Sequence, residues 1–413
     1  AVARSMGRLA CLDLRRGDPA AAIRHANTAL SRDADHPLAP VVLVLAHRAL
    51  GETETADAIL AQAMQNDRMN YLLRWLGGVE RAYFFSKLDA APDQTTLDMA
   101  FDLESMGQYA LAQQLLEQYG QAYPQTVMTL YTLAFLQSRQ GLSYRQTLCA
   151  ADEASLLDTY PVRPGELRVL TFARGEGCRR APFLLGCMRY HMRCYEAAAA
   201  LFEENIRLEP ENYMPYRCLA VAYFTHLGRK EEAARLMETA RSLNCSQQIL
   251  YESVILMDLS GASAAEKLAL LEPHASGFRR DDLFVELAKA YNQSFQPEKA
   301  LALLNSHVFV SCEGGEHAIA DQYMYALFQQ GMRKKQAQDY AGAYETLRSA
   351  MTLPQSLGSG IWNRCKYVPY QFHMAQCLEQ LGRTEEAREI YQMILDIEIE
   401  FFSKIHLREL PYY

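Results

Sequence analysis

The chain has 413 residues, half of them hydrophobic, with a formal net charge of −8 and a pI near 5.8. That size suits several domains or one long repeat array, and the acidic balance argues against nucleic acid, which calls for a basic stripe. No apolar run reaches the roughly 18 residues of a membrane helix, and no signal peptide opens the chain at Ala1, although the missing methionine is compatible with a longer parent chain.

From the N-terminus, GDPAAAIRHANTAL begins at Gly17 and GETETADAILAQAM at Gly51. The two glycines stand 34 residues apart, as do Ala22 and Ala56, and Gly107 and Gly141 repeat the interval. A period near 34 is that of the tetratricopeptide repeat (TPR), one helix–turn–helix unit. The clearest unit is LLGCMRYHMRCYEAAAALFEENIRLEP, residues 184–210. Leu185 and Gly186 belong to its first helix, Ala198 and Phe202 to its second, and Pro210 ends it. The repeat pattern fails only at Arg189, where tyrosine is usual and Tyr190 follows instead. Small residues let the two helices approach, the aromatic fills the gap above them, and proline stops the second helix.

Further units carry Gly228 with Ala233, Tyr291 with Ala300, Ala343 with Leu347, and Gly382 with Ala387. The expected small positions of the second helices are Ala22, Ala56, Ala112, Gln146, Ala198, Ala233, Glu266, Ala300, Ala343 and Ala387. Their spacing predicts an all-α, right-handed helical solenoid of about ten repeats. An N-terminal set (residues 1–154) and a C-terminal set (residues 155–413) form one continuous stack. The period lengthens at four junctions. Residues 68–92 have room for an additional helix. Residues 155–180 enter stiffly at Pro161 and Pro164 and continue as an apolar helix. The last two insertions contain CEGGEH (residues 312–317) and LPQSLGSGIWNRCKYVPY, and insertions in a solenoid tend to share one face. The two loops are expected to be neighbours. The carboxylates of CEGGEH suit the N-terminus of the helix that follows.

The ordered set AEKLALLEPH, RRDDLFVELAKAYNQ, EKALALLNSHVF, EGGEH and LGSG resembles the TPR half of a bacterial family, domain-of-unknown-function family 5107, over roughly residues 155–400. That resemblance implies a β-sandwich-type domain upstream, absent from this sequence, and through it a link to carbohydrate. Glu313, Gly314, Gly315 and Glu316 match the family, as do Asp281, Asp282, Tyr291 and Asn292, whereas Cys312 stands where the family has an aromatic. The resemblance supplies no catalytic residues.

Candidate chemistry is sparse. His307, Cys312 and His317 lack the spacing of a structural zinc site, and none of the ten cysteines forms a Cys-x-x-Cys pair. Cys11, Cys187, Cys218 and Cys377 fall at packing positions, as expected of small hydrophobes in a reduced, cytoplasmic protein. His373 with Cys377 and His191 with Cys194 share helix faces that packing explains. Glu313 and Glu316 could space themselves like a glycosidase pair, but on a loop they lack rigid support.

The first helix of each pair lines the concave face in TPR proteins. By repeat register that face includes Tyr131, Arg139, Tyr190, His191, Arg217, Lys289 and Asn292. These groups suit a protein or peptide segment. The expectation is a non-enzymatic scaffold without cofactor or metal, its partner a protein segment or the β-sandwich domain. No nucleic-acid or membrane role is expected. The alternative is the accessory half of a carbohydrate-active protein. There, loops 312–317 and 357–363 build a sugar site in which Trp362 stacks on the ring.

The register makes one direct demand. Replacing Ala198, Ala233 or Ala387 with leucine should overpack a helix crossing and cost about 1–3 kcal/mol. Unchanged urea midpoints for all three variants would refute the assignment.

Overall fold

A computed structural model describes residues 1–88, 91–156, 159–310, 316–358 and 367–404. Among the described residues there are 23 α-helices, two 3-10 segments and no strand. None of these helices is long and apolar enough to cross a membrane. The chain forms two compact units, Ala1–Ala222 and Tyr223–Tyr413.

In the first unit, antiparallel pairs form from Val2–Arg15 with Pro19–Arg32, Ala39–Ala49 with Thr53–Asn66, and Pro92–Ser105 with Tyr109–Ala122. Val127–Arg139 pairs with Arg145–Glu153, and Ala181–His191 with Tyr195–Leu208. The insertion at 68–92 holds two short helices, Tyr71–Leu76 and Arg81–Ser86, rather than one. The insertion at 155–180 holds the expected apolar helix, Pro164–Gly175, which buries Val169, Leu170 and Ala173. It starts at Pro164 because the buried Glu166 carboxylate accepts from the backbone N–H groups of Val162 and Arg163, both at 2.6 Å. In the second unit the pairs are Gln247–Leu259 with Ala264–Leu271, Asp281–Gln293 with Pro297–Asn305, Glu316–Gln336 with Tyr340–Ser349, and Val368–Gln380 with Thr384–Lys404.

Each pair closes at one point, the fourth residue of its second helix. Ala22, Ala56, Ala112, Ala198, Ala233, Ala300, Ala343 and Ala387 all occupy it and all are buried. Gln146 and Glu266 do not, and both are exposed. Helix Arg145–Glu153 starts two residues later than alanine spacing implies, so Leu148 takes the position. Helix Ala264–Leu271 starts after the Ser263 cap, which makes Glu266 a capping-box residue and puts Lys267 at the crossing. The first helices answer with small residues. A Cβ on Gly186 would lie 2.7 Å from the Phe202 ring, and one on Gly331 would lie 2.7 Å from Leu347.

The turn between paired helices is also uniform. Gly17, Gly51, Gly107, Gly141 and Gly382 adopt left-handed backbone angles there. The next N–H then returns to a carbonyl five residues back, as from Asp18 to Asp13 and from Arg383 to Leu378. Three repeats make the same turn without glycine: Arg193 (φ 60°), Phe295 (φ 55°) and Gln338 (φ 64°). Their return bonds, Cys194 to Arg189, Gln296 to Tyr291 and Asp339 to Lys334, are each 2.9 Å long.

A side chain in this conformation costs about 1–2 kcal/mol relative to right-handed backbone. Phe295→Gly and Gln338→Gly should therefore stabilise the second unit by about 0.5–1 kcal/mol each, after the extra unfolded-state freedom of glycine is subtracted. Phe295 is 69% exposed, so little burial is lost with its ring. A lower urea midpoint for both variants would show that the native side chains contribute more than the strain costs.

Candidate functional site

In the second unit the first helices Gln247–Leu259, Asp281–Gln293, Glu316–Gln336 and Val368–Gln380 lie side by side, joined by polar and ring contacts between neighbours. The seam begins at Lys267. Where eight other second helices place alanine, its long stem is buried to 2% exposure. Its ammonium reaches Asp258 Oδ1 at 2.7 Å and Gln293 Oε1 at 2.8 Å. A buried ammonium must find acceptors, and Asp258 supplies one while remaining near the surface. The second oxygen of Asp258 takes Lys289 Nζ at 2.5 Å. The two lysines hold the Asp258 carboxyl below the usual carboxylate range.

Lys289 also stands 3.5 Å from Glu286 Oε2, at the outer limit of a hydrogen bond, and that oxygen has no better donor. Burial pushes the Glu286 carboxyl up, against the pull of Lys289. One turn earlier, Arg280 grips Asp282 at two points, 3.1 and 2.6 Å, donates to Gln248 and lies over the Tyr251 ring.

Aromatic rings continue the face. Tyr325 stacks with Phe328 at 6.5 Å between centroids, Phe328 meets His373 at 5.5 Å, and His373 meets Phe372 at 5.6 Å. Tyr325 is 45% exposed and Phe372 44%. The His373 Nδ1 atom lies within hydrogen-bond distance of both Lys335 Nζ, at 3.2 Å, and Gln376 Oε1, at 3.0 Å. Burial, and then the neighbouring Lys335 charge, lower the His373 pKa, while Gln376 opposes the shift.

The residues expected on the groove have mixed fates. Lys289 lies on this face, locked by Asp258. Asn292 is buried, at 1% exposure, because its amide donates to Gln322 O and Oε1 at 2.9 and 3.0 Å and ties two helices together. Tyr131 is also buried and donates to Asp152 at 2.7 Å. Tyr190 is half-buried against Tyr195, with centroids 5.4 Å apart, and His191 is exposed at its helix end. Arg217 is half-buried in Tyr213–Thr225. These last three belong to the first unit and the seam to the second.

Glu313, Gly314, Gly315 and Trp362 lie outside the described residues. Glu316 opens the helix Glu316–Gln336. The described flanks of the two loops do meet: Phe309 N–H donates to Ser356 O at 2.8 Å, and Phe309 and Leu357 share one core. Asp281 secures the first flank through His307 Nε2 at 2.7 Å and Val310 N at 3.0 Å. His307 stacks on Phe284 at 4.1 Å, which with Asp281 accounts for its ring. Cys194 faces the Met192 carbonyl, and the half-buried Cys187 thiol is pushed well up by its hydrogen bond with Cys218 and by burial. Among the described residues no group of three or more His, Cys, Asp or Glu is placed to hold a metal.

The sequence reading missed Asp258, Lys267, Glu286 and Tyr325. The one available signal was a lysine inside the apolar run AEKLALL.

The tetratricopeptide repeat family model matches residues 370–397, within the last helix pair. Similar solved structures include a tetratricopeptide repeat protein from Parabacteroides merdae, 17% identical over 68% of this chain and 98% of that one, with a TM-score of 0.31. A TPR protein of Thermus thermophilus is 22% identical over 48% of this chain and 98% of its own, with a TM-score of 0.28. A third, YrrB, is described as a TPR protein with an unusual peptide-binding site; it is 13% identical over 54% of this chain and 94% of its own, with a TM-score of 0.22. The fold is the all-α helical solenoid of the tetratricopeptide type.

The His373 shift has a definite sign. An unfolded histidine titrates near 6.5, and the folded ring below that. The stabilising difference is present above about pH 6.5 and is lost as pH falls through the lowered folded value. The urea midpoint should drop between pH 7 and 5, and His373→Gln should flatten the part of that slope due to this ring. An unchanged slope would place the titration elsewhere.

Proposed function

We propose that this chain is a non-enzymatic scaffold that binds an extended segment of another protein along the first-helix face of its second unit. One observation carries the reading. The polar groups of that face are held in place before any ligand arrives, with Asp258 clamped between Lys267 and Lys289 and Arg280 fixed on Asp282. Side chains already ordered lose little entropy on binding. Beside them, Tyr325 and Phe372 offer apolar surface that the fold does not cover. A row of fixed donors and acceptors next to exposed rings suits a chain that presents backbone and side chains alternately.

The sugar site of the carbohydrate reading rests on Glu313 and Trp362, which lie outside the described residues, and a β-sandwich partner rests on the resemblance to family 5107 alone. The segment reading rests on groups that are described. In the first unit, Tyr190, His191 and Arg217 remain candidates for contacts of the same kind.

The test is selection of random twelve-residue peptides on the intact chain, followed by fluorescence anisotropy. Selected peptides should lose at least tenfold in affinity for Tyr325→Ala and Phe372→Ala, with thermal stability little changed. Peptides that bind both variants as tightly as the parent would overturn this location.

A further inference from the structure

In the first unit a cavity of about 620 Å³ opens between the second helices Pro19–Arg32 and Thr53–Asn66. We infer that it binds a small amphipathic cation, an ammonium group on an apolar body, with the charge held by Asp35 and Asp67. The site is independent of the segment-binding face, which belongs to the second unit.

The cavity is apolar where it is deep. Leu43 of the first helix Ala39–Ala49 and Leu73 of the short helix Tyr71–Leu76 are buried in its lining. Leu30, Pro40 and Ile59 line it half-buried. Ala34 and Ala58 are exposed and too small to fill the opening between the two second helices. The volume lies in the range of about 300–1,000 Å³ common to small-molecule sites.

The ionised groups of the lining are all negative. Asp35 and Asp67 are exposed, and neither lysine nor arginine lines the cavity among the described residues. Asn70 Nδ2 donates to Pro37 O at 3.0 Å, which ties the loop that carries Asp35 to the loop that carries Asp67. Asp67 Oδ1 accepts from Met69 N–H at 3.0 Å, and its second oxygen is left for an outside donor. Asp35 has no hydrogen bond or ion pair among the described residues. The other polar groups are supplied from within. His36 Nδ1 accepts from the N–H groups of Leu38 and Ala39 at 3.3 and 3.2 Å, so that nitrogen carries no proton. Asn70 Oδ1 accepts from Leu73 N–H at 3.1 Å. These contacts satisfy the starts of helices Ala39–Ala49 and Tyr71–Leu76, which would otherwise favour an anion.

The C-termini of Pro19–Arg32 and Thr53–Asn66 turn partial negative charge toward the same two loops. Thr53–Asn66 has no basic residue in its last turn, and Arg32, in the last turn of the other helix, does not line the cavity. Exposed carboxylates beside an apolar recess thus match a cation whose body is apolar. An anion would meet two like charges, and a small hydrated cation would leave the recess unfilled.

The probe is octylammonium chloride, titrated calorimetrically into the intact chain, with octanoate and butylammonium as comparisons. Octylammonium should bind with a Kd below about 1 mM and at least tenfold tighter than either comparison. Asp35→Asn combined with Asp67→Asn, which keeps both shapes, should weaken it at least fivefold. Ala58→Phe puts a ring into the opening and should abolish binding with the urea midpoint little changed. Asp57→Asn, at a 62% exposed carboxylate on the same helix but outside the lining, should leave binding as it is. Absence of octylammonium binding would overturn the site, and so would octanoate binding as tightly. Equal weakening by Asp57→Asn would reduce the effect to overall charge, and full binding by Ala58→Phe would place the ligand elsewhere; either overturns the assignment. None of these outcomes touches Tyr325 or Phe372, so the scaffold reading stands or falls separately.

Discussion

The close approach of paired helices at one residue is the constraint on which the remainder depends. Helix axes 8–10 Å apart leave room for only small side chains where the backbones cross. The chain meets this demand with alanine at the fourth position of eight second helices, all buried. Larger partners then interlock around the crossing, as Phe202 does over Gly186 and Leu347 over Gly331. Because each crossing is similar, the pairs stack with a repeating geometry, and the first helices of the second unit come to lie in a row.

The candidate site arises where that rule is broken. Lys267 takes the crossing position in a helix shortened to Ala264–Leu271. Its methylene stem can occupy apolar space, but its ammonium cannot be left without acceptors. Asp258 and Gln293 answer from two neighbouring first helices. Once Asp258 is placed there, its other oxygen draws Lys289, and Lys289 is drawn away from Glu286. A packing irregularity between two helices is thus transmitted, through one carboxylate, into the charge pattern of the exposed face. Removing one member of a buried ion pair typically costs about 3–5 kcal/mol, so the lysine and the charge pattern are linked.

A second irregularity lies at the turns. Arg193, Phe295 and Gln338 hold the left-handed angle that glycine holds elsewhere, and the same 2.9 Å return bonds form. The turn is therefore dictated by the helices it joins rather than by the residue within it. At Phe295 the carbonyl also accepts from Arg333, which is paired to Glu298. These contacts hold the strained turn against the next first helix.

The repeat was legible in the sequence because it depends on local spacing. Glycine ends a first helix, and a small residue recurs about 34 positions on. The all-α class, the recurring helix pairs and the helix at Pro164 follow from that pattern. Its two failures, at Gln146 and Glu266, came from helices that begin late, a shift that capping decides and alanine spacing does not record. Lys289 was legible as a first-helix residue, and so was Asn292, but only packing shows that one faces outward and the other ties helices together. Asp258, Lys267 and Glu286 are unremarkable in sequence, and Asp258 and Lys267 stand 9 to 31 residues from the groups that matter to them. What joins them is the burial of one ammonium, and its cost is set by how closely neighbouring helices pack. That distance belongs to the tertiary structure alone.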